Sequence, residues 1–387
     1  MTQRQIRAVF MRGGTSRALF FHQADLPSEP EARDRILLAA LGSPDPYGRQ
    51  LDGLGGGISS LSKVMIVGPP TVPEADVDYT FAQVSVGEPL VDYTGNCGNC
   101  TAAVGPFGID EGLVPPVEPE TTLRLNNTNT RKLVVARVPV ADGEAAVAGD
   151  FELPGVPGKG ARIALDFLDP AGAVTGALLP TGHPRDLLEV PGGAVEASLV
   201  DATNPVVFVR ARELGLRGSE LPEAIDGDRA LLTRLEAVRA AGAKLMGIPP
   251  GPALPKVAFV APPAGFRALD GRQVEPSEAD MTARVISMGK CHRAFALTAA
   301  MCLAVAARIE GTVVWECLSP SPPHPCLSPQ GGEDKGEGAD LRLAHPSGVL
   351  PINAVVEQDG REWRARHVTV YRTARRLMEG FVRVPAF

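Results

Sequence analysis

Two cysteines lie three residues apart in the stretch DYTGNCGNC (Asp92–Cys100), among glycines and asparagines. Thiols at this spacing can form a redox pair, half of a zinc site, or one reactive thiol beside a buried neighbour. The redox reading needs a thioredoxin-like βαβ context, and the residues between the thiols here are Gly98 and Asn99. The zinc reading needs two more ligands, and Cys291-His292 or Cys317, His324 and Cys326 offer no second Cys-x-x-Cys. A thiol at a helix start is driven toward thiolate by the free N–H groups and partial positive charge there. Cys97 stands where the small-residue run CGNCTAAVGPF (Cys97–Phe107) would begin a helix, and Cys100 falls one turn in, where burial is expected. Cys97 is therefore read as the working thiol; a pair of small buried thiols is the plainer alternative.

A second candidate is DGLGGGISSLSK (Asp52–Lys63). Its three consecutive glycines let the backbone approach a ligand, Ser59, Ser60 and Ser62 add hydroxyls, and Lys63 abuts the apolar run VMIV (Val64–Val67). A lysine against an apolar strand is expected to lose basicity and become useful as a base. The phosphate-loop pattern is not matched. The turn in MRGGTSRALFF (Met11–Phe21) reads as a Gly-Gly hairpin or as an anion cradle using Arg12, and SMGKCH (Ser287–His292) as an anion site at a helix start. HPSG (His345–Gly348) offers His345 and Ser347 beside a glycine. Each of these, alone, is as well explained by structure as by function.

The elements that must position these residues are mostly short strands. Ile6–Phe10, Arg17–Phe21, Tyr79–Val86, Arg131–Val140, Arg162–Phe167, Pro205–Val209, Lys256–Val260, Thr282–Ser287 and Arg366–Arg372 are rich in β-branched and aromatic residues and bounded by Gly, Pro or Asp. Four segments read as helices: Glu29–Leu41, Cys97–Phe107, Asp228–Met246 and Cys291–Ile309. The last is apolar on every side, the mark of a buried helix. Each half of the chain thus offers strands and one buried helix opened by Gly-x-Cys, which suggests a structural duplication within an α+β fold. Residues 317–338 are dense in Pro, Ser, Gly and charge, and are expected to form a disordered, dispensable insert after a strand-like TVVW (Thr312–Trp315).

The 387 residues exceed one ordinary core, so two domains are expected. The net charge of −7 and the lack of a Lys/Arg cluster argue against a nucleic-acid partner or an anionic membrane. No apolar run reaches the ~18 residues of a membrane span. The opening MTQRQIRAVF has no signal-like apolar stretch, so a cytoplasmic location with reduced cysteines is expected.

Taken together, MRGGTSRALFF, LGSPDPYGRQLDGLGGGISSLSKV, DYTGNCGNC, DATNPVVFV, SMGKCHRAFALTAAMC, LAHPSG and TARRLMEGFVRVP resemble the PrpF family, from Arg12 to Pro385 with an interruption at the insert. The family comprises isomerases and tautomerases of unsaturated carboxylates. The resemblance implies a diaminopimelate-epimerase-like fold of two similar halves, with the site in the cleft between them. The halves would be residues 1–185, completed by the C-terminal strand 372–387, and residues 186–371. It also implies proton transfer on an unsaturated di- or tricarboxylate, without cofactor or metal. Lys63 and Cys97 match the family's acid/base positions, and anion-holding roles carry to Ser16, Ser62, Asn96, Asn99, Ser287, Gly289, Lys290 and Ser347. The family pattern has an apolar residue or serine at 100 and 291, which makes Cys100 and Cys291 local variants and leaves one working thiol. The partner implied is a small polycarboxylate, with the assembly open between monomer and homodimer. A thiol-pair racemase using Cys97 and Cys291, and a non-catalytic accessory protein, stand as the alternatives.

Overall fold

The computed structural model describes residues 3–93, 96–249, 254–287, 289–318, 339–360 and 362–386. The chain divides into two compact units, Met1–Phe167 with Tyr371–Phe387, and Leu168–Val370.

The first unit holds β1 (Gln3–Gly13), β2 (Ser16–His22), β3 (Lys63–Gly68), β4 (Val77–Val84), β5 (Val91–Asp92), β6 (Glu120–Asn127) and β7 (Lys132–Ala141). The two-residue strands β8 (Glu144–Ala145), β9 (Phe151–Glu152) and β10 (Lys159–Gly160) follow, and β11 (Ile163–Leu168) closes the series. The second unit holds β12 (Asp186–Val190), β13 (Gly193–Ala202), β14 (Asn204–Arg210), β15 (Lys256–Ala261), β16 (Phe266–Arg267), β17 (Gln273–Val274), β18 (Met281–Ser287) and β19 (Lys290–Cys291). It continues with β20 (Leu341–His345), β21 (Gly348–Asp359) and β22 (Glu362–Arg372), before β23 (Ala374–Pro385) returns to the first unit.

Hydrogen-bonded neighbours in the first unit follow the order β23-β1-β2-β3-β4-β6-β7-β11. Those in the second follow β12-β13-β14-β15-β18-β20-β21-β22. Both orders show the same succession of directions: antiparallel twice, parallel, antiparallel, parallel, then antiparallel twice. A parallel pair needs a crossover. α1 (Pro30–Leu41) makes it between β2 and β3, and α5 (Arg229–Leu245) between β14 and β15. Both helices are well punctuated. Pro30 opens α1 and Gly42 closes it at φ 75°; Asp228 caps α5 by accepting from the Leu231 N–H at 2.9 Å. The short α4 (Pro222–Gly227) precedes α5.

The buried helices differ from the sequence-based expectation in two ways. Cys97–Phe107 is not one helix but α2 (Gly98–Thr101) and α3 (Val104–Asp110). Pro106 explains the break, because its ring would clash with the Ala102 carbonyl in a continuous helix, yet is tolerated in the first turn of a new one. In the second unit the helix is only α6 (Leu297–Ala306), and Cys291 does not open it. Gly289, at φ 75°, turns the chain back so that Cys291 pairs with Ile286 in a small hairpin. α6 itself is buried on all faces, as its uniformly apolar sequence requires.

TVVW is also corrected: it forms α7 (Val313–Glu316), not a strand, because the Thr312 hydroxyl accepts from the Trp315 N–H at 3.0 Å. Cys317 is buried against the Val260 carbonyl, so the foreign segment cannot begin there; the expected disorder of 319–338 lies outside the described residues. Among the described residues no helix is long and apolar enough to cross a membrane.

Candidate active site

Cys97 is the residue preceding α2, with extended backbone (φ −120°, ψ 91°), and its carbonyl accepts the Thr101 N–H at 3.0 Å. Its side chain is 8 % exposed, and the Ser16 hydroxyl at the start of β2 lies 3.9 Å from Sγ. The Cys97 thiol is held well below the ordinary thiol range, chiefly because the Cys100 thiol donates to it, with the Lys63 charge and the Ser16 hydroxyl adding to the effect; burial works against them. The same contact drives Cys100 the other way, well above its usual value. Cys100 thus stands where its thiol can donate to the Cys97 thiolate. Both are free thiols.

Beneath them the Tyr79 phenol, pushed up to about 12 by burial, receives Asn127 Nδ2 at 3.0 Å and Thr101 Oγ1 at 3.3 Å. Asn96 also bonds to this phenol, while its own Oδ1 is buried without a partner among the described residues.

Lys63 is the first residue of β3, beside Ala18 of β2 and opposite Gln83 of β4. It is 8 % exposed; Nζ donates to Gln83 Oε1 at 2.5 Å and stands 4.9 Å from the Phe81 ring centroid. Gln83 in turn donates to the Ser62 carbonyl at 2.8 Å, which fixes the amide that aims the ammonium. Ser62 itself is fully buried. Its hydroxyl donates to the Val84 carbonyl at 2.9 Å and accepts Gln50 Nε2 at 2.7 Å. That hydroxyl anchors the glycine loop and has no face toward a ligand, so the substrate-holding role drawn from the resemblance does not suit it.

The β1–β2 hairpin lies on the first turn of α2. A Cβ at Gly13 would be 2.6 Å from the Asn99 carbonyl oxygen, and Gly14 has φ +52°, so glycine at both positions permits this approach. Asn99 Nδ2 donates to Thr15 Oγ1 at 3.2 Å, and its Oδ1 accepts Arg372 Nε at 3.0 Å. Arg372 is 4 % exposed and its Nη1 donates to the Tyr371 carbonyl at 2.7 Å; among the described residues it has no carboxylate partner. Burial pushes the guanidinium down to about 10, and the Cys97 charge pulls it back up. Arg12, read from sequence as an anion holder, instead donates to the Gly14 and Thr373 carbonyls, each at 2.9 Å, and braces the hairpin. Ser16, Lys63, Asn96, Cys97 and Asn99 are therefore gathered around one helix start. Gln83 and Arg372 join them, and sequence reasoning missed both; the only signal was a polar residue ending an apolar strand.

The remaining predicted residues lie in the second unit. Half-buried Ser287 accepts Lys256 Nζ at 3.0 Å; Gly289 and Lys290 form the exposed turn after it. Ser347 donates to the Arg293 carbonyl at 2.6 Å and its N–H to His345 Nδ1 at 3.2 Å. Cys291 is buried, its thiol pushed up to about 12 by desolvation.

The PrpF protein family profile matches residues 3–385. The chain is 42 % identical to a 3-methylitaconate isomerase of Eubacterium barkeri, over 99 % of this chain and 98 % of that one. It is 41 % identical to a 2-methyl-aconitate isomerase of Shewanella oneidensis, over the same shares, and 38 % identical to a 4-oxalomesaconate tautomerase of Pseudomonas putida, over 99 % and 97 %. The crystal structure of a methylitaconate-delta-isomerase superposes with a TM-score of 0.86 at 41 % identity, covering 99 % of this chain and 96 % of that one. A probable proline racemase from Agrobacterium radiobacter, at 12 % identity and a TM-score of 0.51, shares the fold alone, over 97 % of this chain and 92 % of that one.

Proposed function

This chain belongs to the PrpF family, and we propose that it is an isomerase moving a proton along an unsaturated di- or tricarboxylate by means of Cys97 and Lys63. The observation that carries the assignment of roles is the pairing of a thiol stabilised as thiolate with a buried ammonium fixed by Gln83. Cys97, as thiolate, takes the proton from a carbon acidified by its neighbouring carboxylate or keto group. The electron pair left behind delocalises into the conjugated system. Lys63 then delivers a proton to the far end of that system, and the double bond moves. Cys97 is left as thiol and Lys63 as amine, and proton exchange with water restores both. A bound polycarboxylate adds negative charge beside the thiolate and raises its basicity when it is needed. Asn96 and Asn99 offer amide groups to the developing charge.

The fold supports a single-thiol mechanism over a thiol pair. The residue preceding α6, in the place Cys97 takes before α2, is Ala296, and Cys291 sits back in a strand. The test is to assay the purified protein on methylitaconate, 2-methylaconitate and 4-oxalomesaconate, with and without chelator. Conversion of at least one acid, unchanged by chelator, is expected; no conversion of any, or loss with chelator reversed by a divalent ion, contradicts the reading.

A further inference from the structure

The strand order of the first unit begins at β23, and this strand is paired on one side only. It bonds to β1 along its length; among the described residues no other strand pairs with it, and no other group bonds to the backbone of 375–385. Twelve residues is long for an open strand, which folds usually keep short or covered. β12, at the open end of the second unit's order, has five. The register against β1 shifts between Phe10 and Met11, which leaves Leu377 as a bulged residue and 378–385 as the straight part. On one face of that part Val382 and Val384 join the cluster to which α1 gives Ile36 and Leu37. On the other face Glu379, Phe381 and Arg383 are all exposed, Phe381 by 62 %.

We propose that two copies of this chain pair through β23, edge to edge and antiparallel, about a twofold axis at Phe381. An open strand edge accepts a further strand through its free N–H and C=O groups, and the side chains decide which strand and in which register. A twofold axis perpendicular to the sheet keeps each side chain on its own face, so residues of one face meet and the axis passes at a residue. With the axis at Phe381, this residue meets its own copy. Glu379 then meets the second copy's Arg383, Gly380 its Val382 and Met378 its Val384, each pair formed twice. Two exposed aromatic rings come together with opposite charges on either side, and both kinds of pair stabilise antiparallel strands. Glu379 Oε2 meets Arg376 Nε at 2.6 Å, which leaves Oε1 for the second copy's Arg383. The neighbouring registers fail. An axis at Glu379 sets that carboxylate against itself, axes at Gly380 or Val382 match no charges, and an axis at Leu377 falls on the bulge. Charges on an open edge deter foreign strands. Here they also admit the strand's own copy, in one register.

Sedimentation equilibrium of the full chain should show a dimer at micromolar concentration. Phe381→Lys sets two ammonium groups against each other on the axis and should raise the dissociation constant at least roughly tenfold. Glu379→Arg and Arg383→Glu each oppose like charges and should do the same. The double variant Glu379→Arg/Arg383→Glu restores the match and should return the constant to within about threefold of wild type. All three side chains are exposed, so the variants should fold, which circular dichroism checks. A wild-type chain that stays monomeric up to ~100 μM overturns the inference. So does a dimer that Phe381→Lys and both single charge variants leave unchanged, because it then forms elsewhere. A double variant as weak as either single one overturns the register.

Discussion

The two units share one scaffold and differ at its tips. Both place a lysine at the first residue of the strand that follows the crossover helix, and both send a short hairpin back before a buried helix. At the helix start one has Cys97 and the other Ala296. The thiolate needs more than a helix start: it needs Cys100 as donor and Lys63 nearby, and only the first unit gathers these. A repeated backbone therefore repeats the lysine without repeating the thiol and its surroundings. The thiol at 291 shows the converse. It matches Cys97 in its Gly-x-Cys context, yet sits in a strand where desolvation keeps it neutral.

The largest expected effect breaks this comparison most sharply. Cys97→Ala should lower kcat by roughly 10²–10⁴-fold, the range for loss of a general acid or base. Adding Ala296→Cys to that variant should restore nothing. Recovery of turnover in the double variant would make the halves interchangeable and refute the one-sided account.

Next comes the hairpin that packs on α2. Gly13→Ala places a methyl 2.6 Å from the Asn99 carbonyl oxygen, against backbone that cannot swing aside. Overpacking of this kind costs about 1–3 kcal/mol. A lower Tm and a fall in kcat of at least roughly tenfold are expected if that strain reaches the catalytic group. A variant with wild-type Tm and kcat would show that the hairpin does not position the first turn of α2.

A smaller effect separates the groups that hold the thiolate. Lys63, Ser16, Cys100, Tyr79 and Arg372 are the titratable or polar groups that act on or face Cys97. A thiol whose pKa is depressed stays ionised down to acidic pH and loses reactivity only as pH falls through that lowered value. Removing a stabiliser raises the pKa, so labelling should slow at acidic pH and converge with wild type at alkaline pH. Iodoacetamide labelling of Cys97 at about pH 4, below its lowered value, should slow about tenfold in Cys100→Ala or Arg372→Met, since in that range one unit of pKa is a tenfold change in thiolate. Unchanged labelling in both would remove Cys100 and Arg372 from the account. The smallest effect is expected for Cys291→Ser, within about twofold in kcat, as for a substitution away from any special feature. A loss like that of Cys97→Ala would return the thiol-pair mechanism.

Much of this could be read from sequence because it is local. Runs such as Tyr79–Val86 and Lys256–Val260 carry the strand composition that became β4 and β15. Gly42, Asp228 and Gly247 punctuate α1 and α5 by chemistry visible in the residue itself. The errors arose where an apolar run continues past a turn. Nothing in CHRAFALTAAMC marks Ala296 rather than Cys291 as the residue before the helix, because Gly289 reverses the chain by a backbone angle. The strand β13 escaped the reading of composition, whereas β23, with its charged residues, was expected only through the resemblance, as the C-terminal strand 372–387. At the site, Lys63 and Cys97 stand out by type and neighbours. Gln83 and Arg372 matter only through the register that sets them opposite their partners, up to 273 residues away in sequence for Arg372 and Asn99.

The division of labour between Cys97 and Lys63 is tested most directly by proton exchange in D2O, followed by NMR on a substrate the wild-type protein converts. Wild-type protein should return product deuterated at the carbon that receives the proton. Lys63→Met should still exchange the substrate's own carbon-bound proton while forming little product, because the thiolate remains to remove it. Cys97→Ala should do neither. Exchange that persists in Cys97→Ala and vanishes in Lys63→Met would contradict the assignment and make Lys63 the base.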